Sequence, residues 1–579
     1  MTRSMSFINK ENILNFYHTA RHLSSSQIFH QVKSRVIKSR VDLIEPVKLG
    51  LNCKLETLFD PARGFISRWT GGKFDVNELC FEFINEVANY THGVNWNEEK
   101  FGGLWLDHLH YFRYLELLSN NREEVQAGYR LIRDWKSHRL NVSKAFWPAY
   151  NASERAFCMG RWLLINKSYL DQGQCDDLLN IIYQDIDFVN NNLEWNLNGN
   201  HLLKNIAAVW WGCYLFDEQY TAKWRATIDK HLKDIVKNQI LSDGLHYEKS
   251  PLYHQLALID FLDILVLMPV ESIEFTYLSE LVEKMYSAFK LFIHPDGKSC
   301  LFGDSSANLS APANTVLGFC YKFLGDSRVA SELQEGGYYQ LSTDDEFYII
   351  ADAGNLGPDE QMGHAHSDML HFEMSYLGQR VLVEGGTSSY YHEVRRPYER
   401  STQAHNTVSI NGDSQCQNWS SFRVAQRGYC SVTHYSKNND ESVLEAQHDG
   451  FKRVYGVTHR RKFSYQTGLF IITDNFDLDS SIRSKNVNGI DSFLHFSKEC
   501  QLRVINEQLV LIEMSHGAKL YLFIDNASIE IVTMQYGVGY NLLEVGNCLN
   551  MKVLDMTNEA KYCFADSLLK LTDLAKISD

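Results

Sequence analysis

Residues 363–413 read GHAHSDMLHFEMSYLGQRVLVEGGTSSYYHEVRRPYERSTQAHNTVSINGD, and this stretch decides the fold of the second half of the chain. Apolar and polar residues alternate in LHFEMSYLGQRVLVE and again in HNTVSI, with Gly, Asn and Asp between the runs. Such alternation between turn residues is typical of antiparallel strands. The same pattern recurs in RKFSYQTGLFIITDNFD and AKLYLFIDNASIEIV, and it predicts an antiparallel β sandwich over residues 341–579.

The preceding part of the chain has a helical period. HLLKNIAAVWWGCYLFD, residues 201–217, places Leu202, Ile206 and Val209 on one stripe, which is the spacing of an amphipathic helix. PLYHQLALIDFLDILVLM begins with Pro251, a residue favoured in the first turn of a helix. The sequence therefore predicts a domain of stacked helix pairs over residues 96–335, preceded by a lead-in segment, residues 1–95, that packs on the helices.

Composition narrows the class of protein. The 579 residues carry a net charge of -15, which argues against a nucleic-acid partner because such partners favour basic surfaces. No run of 18 apolar residues occurs, so no membrane span and no membrane partner are expected. The first residues contain no continuous apolar segment of the kind found in secretory signals. The cytoplasm is the expected compartment, with the periplasm and secretion left open, and the sequence predicts no oligomeric state.

Three residues of the opening stretch have the chemistry of metal ligands. Glu384 ends the apolar run RVLVE and His405 begins the run HNTVSI, and together with His366 they offer two imidazoles and a carboxylate to a divalent ion. His364 shares a strand face with His366, and it could face a cleft if the backbone bends there. The alternative is that these polar residues at strand ends satisfy one another.

A second group of candidates lies in the helical half. Asn200 and His201 come at the start of a helix, whose N-terminal dipole and free N–H groups favour a carboxylate. Asn200 is equally suited to be a simple N-cap. Tyr253 lies one turn into the helix that begins at Pro251, where its phenol projects either into a groove or into the packing.

Together these segments resemble the heparinase II/III family of polysaccharide lyases. The resemblance covers about residues 80–480 and rests on GHAHSDMLHFEMSY, VLVEGGT, RSTQAHNTV, LDHLHYFRYL, WPAYNASERA, NGNH and DGLHYEKSPLYH. It implies an incomplete (α/α) toroid followed by an antiparallel β sandwich, which is the order of patterns described above. It also implies cleavage of an acidic, uronate-containing polysaccharide, such as heparan sulfate, hyaluronan or chondroitin, by β-elimination that leaves 4,5-unsaturated uronate ends.

The resemblance assigns roles to individual residues. Asn200 matches the residue that neutralises the substrate carboxylate, Tyr253 the catalytic tyrosine and His364 the catalytic histidine, while His201 matches a histidine used in some members. A second catalytic tyrosine would fall near Tyr391, with Tyr390 and Tyr398 as alternatives. β-Elimination asks for such a set because the C6 carboxylate must be neutralised, the C5 proton removed and the departing O4 protonated.

Further residues are implied to bind metal and substrate. His366, Glu384 and His405 match the ligands of one structural divalent ion, usually zinc, with manganese or calcium as alternatives because most relatives have Asp where this chain has Glu384. Arg155 and Arg400 are the candidates for binding the carboxylate or sulfate groups of the substrate, and Arg395 and Arg396 lie in the same loop as Arg400. The alternative is that this run of arginines is a solvated face.

Two other functions fit parts of the sequence. A glycoside hydrolase on the same toroid would need two carboxylates, and Asp243 with Glu248 is the local pair on offer. A non-enzymatic protein of saccharide binding or polysaccharide assembly would fit a cytoplasmic location. The combination of Asn, Tyr and His argues against that function, because binding alone does not require it.

Overall fold

A computed structural model of the protein describes residues 10–36, 64–139, 148–479, 481 and 486–571. Helices dominate as far as residue 324 and strands from residue 332 onward, which is the predicted order. The longer helices are α1 (Lys10–Ala20), α2 (Ser25–Val36), α3 (Gly103–Tyr111), α4 (Arg122–His138), α5 (Ala149–Asn166), α6 (Gln172–Asn191), α7 (Gly199–Leu215), α8 (Glu218–Gln239), α9 (Pro251–Leu267), α10 (Ile273–Leu291) and α11 (Ala313–Leu324). Two short helices, α12 (Arg395–Glu399) and α13 (Lys452–Tyr455), lie among the strands.

The helices form the two layers of an (α/α) toroid. Helices α5, α7 and α9 are buried on nearly all sides and pack against one another, whereas α6, α8 and α10 pack outside them and are buried on one face. Helices α5 and α7 approach closely at Gly160, where a Cβ atom would lie 2.2 Å from the ring of Trp211. The predicted toroid is therefore confirmed, with the large aromatic side chains filling the space between its layers.

A buried ionic network ties the inner helices together. Lys204 of α7 donates to Glu154 of α5 at 2.7 Å and to Asp260 of α9 at 2.8 Å. Arg68 donates to Glu154 at 2.9 Å and to Asp263 at 2.9 Å, and all five of these residues are buried. Because a buried charge without its partner destabilises the fold strongly, this network fixes the relative positions of the helices that carry the candidate residues.

The strands form the predicted antiparallel sandwich. The strands are β1 (Phe74–Asp75), β2 (Cys80–Phe83), β3 (Glu86–Asn89), β4 (Glu332–Leu333), β5 (Tyr338–Gln340), β6 (Phe347–Asp352), β7 (Phe372–Tyr376), β8 (Gln379–Leu382), β9 (Val408–Ile410), β10 (Asn418–Ser420), β11 (Arg423–Val424), β12 (Cys430–Lys437), β13 (Glu441–His448), β14 (Val457–Gln466), β15 (Leu469–Leu478), β16 (Ile490–Phe496), β17 (Cys500–Asn506), β18 (Leu509–Met514), β19 (Lys519–Asp525), β20 (Ala527–Gly539), β21 (Leu542–Val553) and β22 (Ala560–Ala565). One sheet has the order β20-β21-β16-β8-β7-β6-β5-β4 with β9 beside β16, and the other β12-β13-β14-β15-β22-β19-β18-β17. Their facing sides share one apolar core that includes Phe372, Phe463 and Leu549.

The helical and β halves are joined by a shared apolar cluster. Leu245 and Phe292 of the helical half are packed with Tyr338 and Ile350 of the first sheet. Because this contact is buried, it holds the loops of the sandwich over one end of the toroid. No helix in the described part of the chain has the length and apolarity that a bilayer crossing requires.

The N-terminal segment contacts both halves. The small sheet β1–β3 packs on the toroid, with the ring centres of Phe83 and Trp105 5.2 Å apart. Helix α1 lies on the sandwich, where the Thr19 hydroxyl donates to the carbonyl of Val424, and Gln27 of α2 donates to the carbonyl of Glu360. Residues 37–63 of the predicted lead-in segment lie outside the described residues.

Candidate active site

A pocket of about 630 Å³ lies between the toroid and the sandwich. Its volume is in the range of small-molecule and cofactor sites. Helices α3, α5, α7 and α9 line one side, the loops around residues 359–364 and 390–391 and the hairpin β10–β11 line the other, and helix α2 contributes one wall. Four of the predicted catalytic residues and the predicted second tyrosine line it: Asn200, His201, Tyr253, His364 and Tyr391.

Asn200 lies in the first turn of α7 and its side chain is fixed by Glu248. The side-chain Nδ2 donates to Glu248 Oε2 at 2.9 Å, and the backbone N–H of Asn200 donates to Glu248 Oε1 at 3.0 Å. The N-cap of α7 is Asn198, so the interpretation of Asn200 as a simple cap is wrong. Nδ2 also lies 3.4 Å from Nε2 of His364, which brings Asn200 next to the histidine although the two are far apart in sequence.

Tyr253 and His364 are stacked face to face. Their ring centres are 3.7 Å apart, and the Tyr253 hydroxyl lies 3.0 Å from the hydroxyl of Tyr390. Burial raises the pKa of Tyr253 well above its usual range, and the neighbouring Tyr390 adds to this shift. Burial likewise raises the pKa of Tyr390. Both phenols are therefore protonated at neutral pH in the free protein.

The assignment of the second tyrosine to Tyr391 is corrected by the geometry. Tyr391 is 66% exposed at the edge of the pocket, whereas Tyr390 is buried and makes the hydrogen bond to Tyr253. The chain turns between these two residues, and a sequence pattern does not show which of two adjacent tyrosines points inward. Tyr390 is the second tyrosine of the site.

A single carboxylate, Asp304, connects two of the predicted histidines. It lies in the loop between α10 and α11 and contacts His364 Nδ1 at 3.0 Å and His366 Nε2 at 2.8 Å. The guanidinium of Arg396 donates to both of its oxygens. Burial alone would raise the pKa of Asp304, but Arg396 and the two imidazoles hold it well below its usual range. Asp304 is therefore an ionised carboxylate that only accepts hydrogen bonds.

This contact determines the tautomers of both histidines. Because Asp304 accepts, His364 presents Nδ1–H to it and keeps the lone pair of Nε2 for the pocket. His366 presents Nε2–H to Asp304 and keeps the lone pair of Nδ1, which is buried with no hydrogen-bond partner among the described residues. The backbone reinforces the arrangement, because the N–H of Asp304 donates to the carbonyl of His364 at 3.0 Å and Gly303 has no side chain to obstruct this approach.

The sequence pattern placed these histidines in a strand, and this prediction is wrong. Residues 363–371 form a loop that connects β6 to β7, and the strand begins only at Phe372. The two side chains nevertheless reach the same partner. The bent backbone lets His364 line the pocket while His366 lies behind it, fully enclosed.

His201 and Asp107 belong to the toroid wall of the pocket. His201 Nδ1 lies 3.4 Å from Glu194, and its ring packs on Tyr150 with 4.8 Å between ring centres. Burial opposes a charge on His201, but Glu194 raises its pKa above the usual value. Burial raises the pKa of Asp107 to about 6, and a hydrogen bond from Asn151 at 2.6 Å partly offsets this effect.

The predicted metal ligands converge below the pocket. Ligand atoms of His366, Glu384 and His405 lie within 4.8 Å of one another, and the three residues are buried. His371 Nε2 and His405 Nδ1 each lie 2.6 Å from an oxygen of Glu384, so both imidazoles are paired with this carboxylate. His371 Nδ1 accepts from the N–H of Asn406, so its Nε2 carries a proton and faces Glu384 as a donor. A buried carboxylate close to imidazole nitrogens, among them the unpartnered Nδ1 of His366, is a donor set that fits a divalent ion.

A second histidine, cysteine and glutamate group has a different character. His294, Cys300 and Glu373 are buried and close enough to share an ion. However, Arg380 donates to Glu373 at 2.8 Å and His294 Nδ1 lies 2.7 Å from the Ser375 hydroxyl. These contacts give the group protein partners of its own.

Both arginines predicted to bind substrate are buried, so these predictions are wrong. Arg155 is 0% exposed and forms a bidentate pair with Asp185 at 2.8 Å inside the toroid. Arg400 is 1% exposed and donates to the carbonyls of Ala365 and Ser420, which holds the loop of His364 in place. Burial lowers the pKa of Arg400 to about 9. An arginine in a short sequence motif does not show whether its charge faces solvent or a backbone carbonyl.

The carboxylate pair of the hydrolase alternative is also not formed. Asp243 accepts from the N–H groups of Leu245 and Gly336 at a turn, and it does not line the pocket. Glu248 holds Asn200 instead. With one carboxylate engaged and the other elsewhere, Asp243 and Glu248 do not form an acid and base pair of glycosidase type.

The sequence did not identify Asp304 as the carboxylate that contacts both histidines, or Arg396 as its counter-charge. Asp304 follows FG and precedes SS in FGDSS, a turn-like segment with no feature that points to His364, and Arg396 was seen only as one of several loop arginines. The sequence feature that could have pointed to Asp304 is an acidic residue in a turn of Gly and Ser, but such turns are common in loops without a functional role. Their contact is visible only in three dimensions.

Comparison with known proteins agrees with this architecture. A model described as heparinase II/III N-terminus matches residues 132–323, and one described as heparinase II/III-like, C-terminal, matches residues 326–545. The structure is similar to heparinase III, with a TM-score of 0.63 and 15% identity over 97% of this chain and 92% of that chain. It is also similar to the heparan sulfate lyase HepC from Pedobacter heparinus, with a TM-score of 0.56 and 15% identity over 97% of this chain and 91% of that chain. No curated protein matches the sequence.

The role of Asp304 leads to a stability prediction. Asp304→Asn leaves the buried guanidinium of Arg396 without its counter-charge, and we expect the free energy of unfolding to fall by about 3–5 kcal/mol. Asp352→Asn is the matched control, because burial and the neighbouring Asp368 raise the pKa of Asp352 and the amide resembles its protonated form. Thermal melting should show a clear decrease for the first variant and little change for the second. Equal melting temperatures for both variants would contradict the assignment of Asp304.

Proposed function

The chain belongs to the heparinase II/III family, and we propose that it is a polysaccharide lyase that cleaves a uronate-containing glycan by β-elimination. The observation that carries the proposal is the convergence of Asn200, Tyr253 and His364 in one pocket, with an amide next to an imidazole and the imidazole stacked on a phenol. β-Elimination needs an electrophilic group for the carboxylate, a base and an acid, and these three side chains supply one of each.

The first requirement is neutralisation of the substrate carboxylate. The Nδ2 group of Asn200 has two N–H bonds, and Glu248 engages one of them at 2.9 Å. The other is directed toward His364 and the pocket, where it can donate to the C6 carboxylate of a uronate. His201, whose raised pKa favours the imidazolium form, is next to Asn200 and can add a positive charge. Both interactions make the C5 proton more acidic, because they stabilise the carbanionic charge that develops on the carboxylate.

Proton transfer is assigned from the tautomer and the phenol. His364 Nε2 carries a lone pair, so it accepts the proton of C5 as the C5–H bond breaks. Tyr253 is protonated, so it donates its proton to O4 as the C4–O4 bond breaks and the C4–C5 double bond forms. The proton on His364 then returns to the Tyr253 phenolate, next to which it is stacked, and the hydrogen bond from Tyr390 stabilises that phenolate in the interval.

We also propose that the protein binds one divalent ion, with zinc as the expected metal. Two imidazoles and a carboxylate from His366, Glu384 and His405 are a donor set that zinc accepts. When bound, the ion would join the loop of His366 to the ends of β8 and β9 and would have a structural function. His371 would orient Glu384, as partners behind a metal ligand commonly do.

The proposed activity is tested with a panel of uronate polysaccharides. A lyase produces 4,5-unsaturated uronate, which absorbs in the ultraviolet, and Tyr253→Phe should lower this rate by about a hundredfold or more without changing the fold, because a general acid has been lost. Tyr321→Phe is the control, since Tyr321 is 62% exposed on α11. New reducing ends without the ultraviolet signal would indicate a hydrolase, and undiminished elimination by Tyr253→Phe would remove Tyr253 from the mechanism.

The metal proposal is tested by elemental analysis of purified protein. We expect about one divalent ion per chain and its loss in His405→Ala, accompanied by a lower melting temperature because an ion that binds only the folded state stabilises it. His434→Ala, at an exposed position in β12, should retain the ion. Protein that contains no stoichiometric metal after purification without chelators would contradict the proposal.

A further inference from the structure

The pocket contains few positive charges to bind an anionic polymer. Among the described residues that line it, the cationic side chains other than histidine are three arginines, and no lysine is present. Arg113 is 4% exposed and pairs with Glu154 at 2.8 Å, and Arg427 pairs with Asp359 at 3.1 Å. Two of the three arginine charges are thus already neutralised by the protein, and Arg423, at the edge of the sandwich, is the third.

The toroid wall of the same pocket carries negative charge. Asp107 and Glu194 both line it, and within the described parts of the chain neither forms an ion pair with arginine or lysine. Their partners are mostly neutral, since Asn151 donates to Asp107 at 2.6 Å and Asn205 donates to Glu194 at 3.2 Å. Among the residues that the structure describes, His201 is the basic group that contacts Glu194.

This wall is adjacent to the reacting centre. Glu194 contacts His201, and His201 follows Asn200 directly in the first turn of α7. A sugar whose carboxylate is bound by Asn200 would therefore place its neighbouring substituents close to Asp107 and Glu194. The local set of donors, Asn200 and His201, provides for one carboxylate, and the cation of the pocket without an acidic partner among the described residues, Arg423, lies on the opposite, sandwich side.

We propose that this pocket selects a uronate polysaccharide that carries no sulfate on the sugars next to the cleaved bond, and that Asp107 and Glu194 exclude the sulfated forms. The inference rests on the proposed lyase function and specifies its substrate class. A sulfate next to Asp107 and Glu194 loses its hydration, and because no described arginine or lysine pairs with this wall, that loss is not compensated there. Facing two carboxylates, the sulfate is also repelled, which is a recognised means of rejecting a wrong partner.

The experiment compares polymers that differ only in sulfation. Heparosan is paired with its chemically O-sulfated form, and unsulfated chondroitin with chondroitin sulfate, and the rate of elimination is followed by ultraviolet absorbance. We expect one of the unsulfated polymers to be cleaved with a kcat/KM on the order of a hundredfold above that of its sulfated counterpart, since each of the two like-charge contacts should lower the value by about tenfold.

Two variants test whether the acidic wall causes the preference. Asp107→Asn and Glu194→Gln keep the size of each side chain and remove its charge, so we expect each to raise the relative kcat/KM on the sulfated polymer by about tenfold. Glu530→Gln, at an exposed position in β20, is the matched control and should leave the ratio unchanged. Melting curves of all three variants establish that the fold is retained.

The outcomes separate this inference from the function on which it rests. Equal or faster cleavage of a sulfated polymer by the unaltered protein would overturn the inference and leave the lyase function standing. A preference for the unsulfated polymer that persists unchanged in both variants would overturn the role of Asp107 and Glu194. If no polymer of the panel yields the unsaturated product, the proposed function fails and this inference fails with it.

Discussion

The carboxylate of Asp304 is the constraint on which the candidate site depends. It accepts a hydrogen bond from His364 on the pocket side and from His366 on the side of Glu384 and His405, and Arg396 supplies its counter-charge. One ionised group thus determines which nitrogen of each imidazole carries a proton. The lone pair of His364 faces the pocket and that of His366 lies among the buried group with Glu384 and His405, so the proposed catalytic and structural roles are separated although the two histidines are only two residues apart.

Many charged side chains of this protein are buried, and this burial explains why Arg155 and Arg400 are not substrate ligands. Arg155 and Arg400 looked like substrate ligands because exposed arginines commonly bind carboxylate and sulfate. In the structure one is neutralised by Asp185 and the other donates to backbone carbonyls. These contacts hold a helix of the toroid and the loop of His364 in position. The pocket itself is left with little free positive charge, which is the basis for the inferred preference for unsulfated chains.

Much of the fold was predictable because it depends on local patterns. The helical period and the strand alternation each extend over many residues, so the order of toroid and sandwich follows from the sequence. Asn200, Tyr253 and His364 were identified because the motifs around them resemble a known family. Asp304, by contrast, contacts residues about sixty positions away through a loop with no characteristic spacing. Likewise, only the backbone turn at the pocket edge shows that Tyr390, and not Tyr391, reaches Tyr253.

The orientation of both imidazoles by Asp304 is tested most directly by the nitrogen chemical shifts of His364 and His366. These shifts are measured by NMR on protein labelled with ¹⁵N at histidine, and they are assigned with His364→Gln and His366→Gln variants. We predict that the neutral ring of His364 is protonated at Nδ1 and that of His366 at Nε2, because both N–H groups face Asp304. Protonation of His364 at Nε2, or of His366 at Nδ1, would contradict the claim that Asp304 orients both rings.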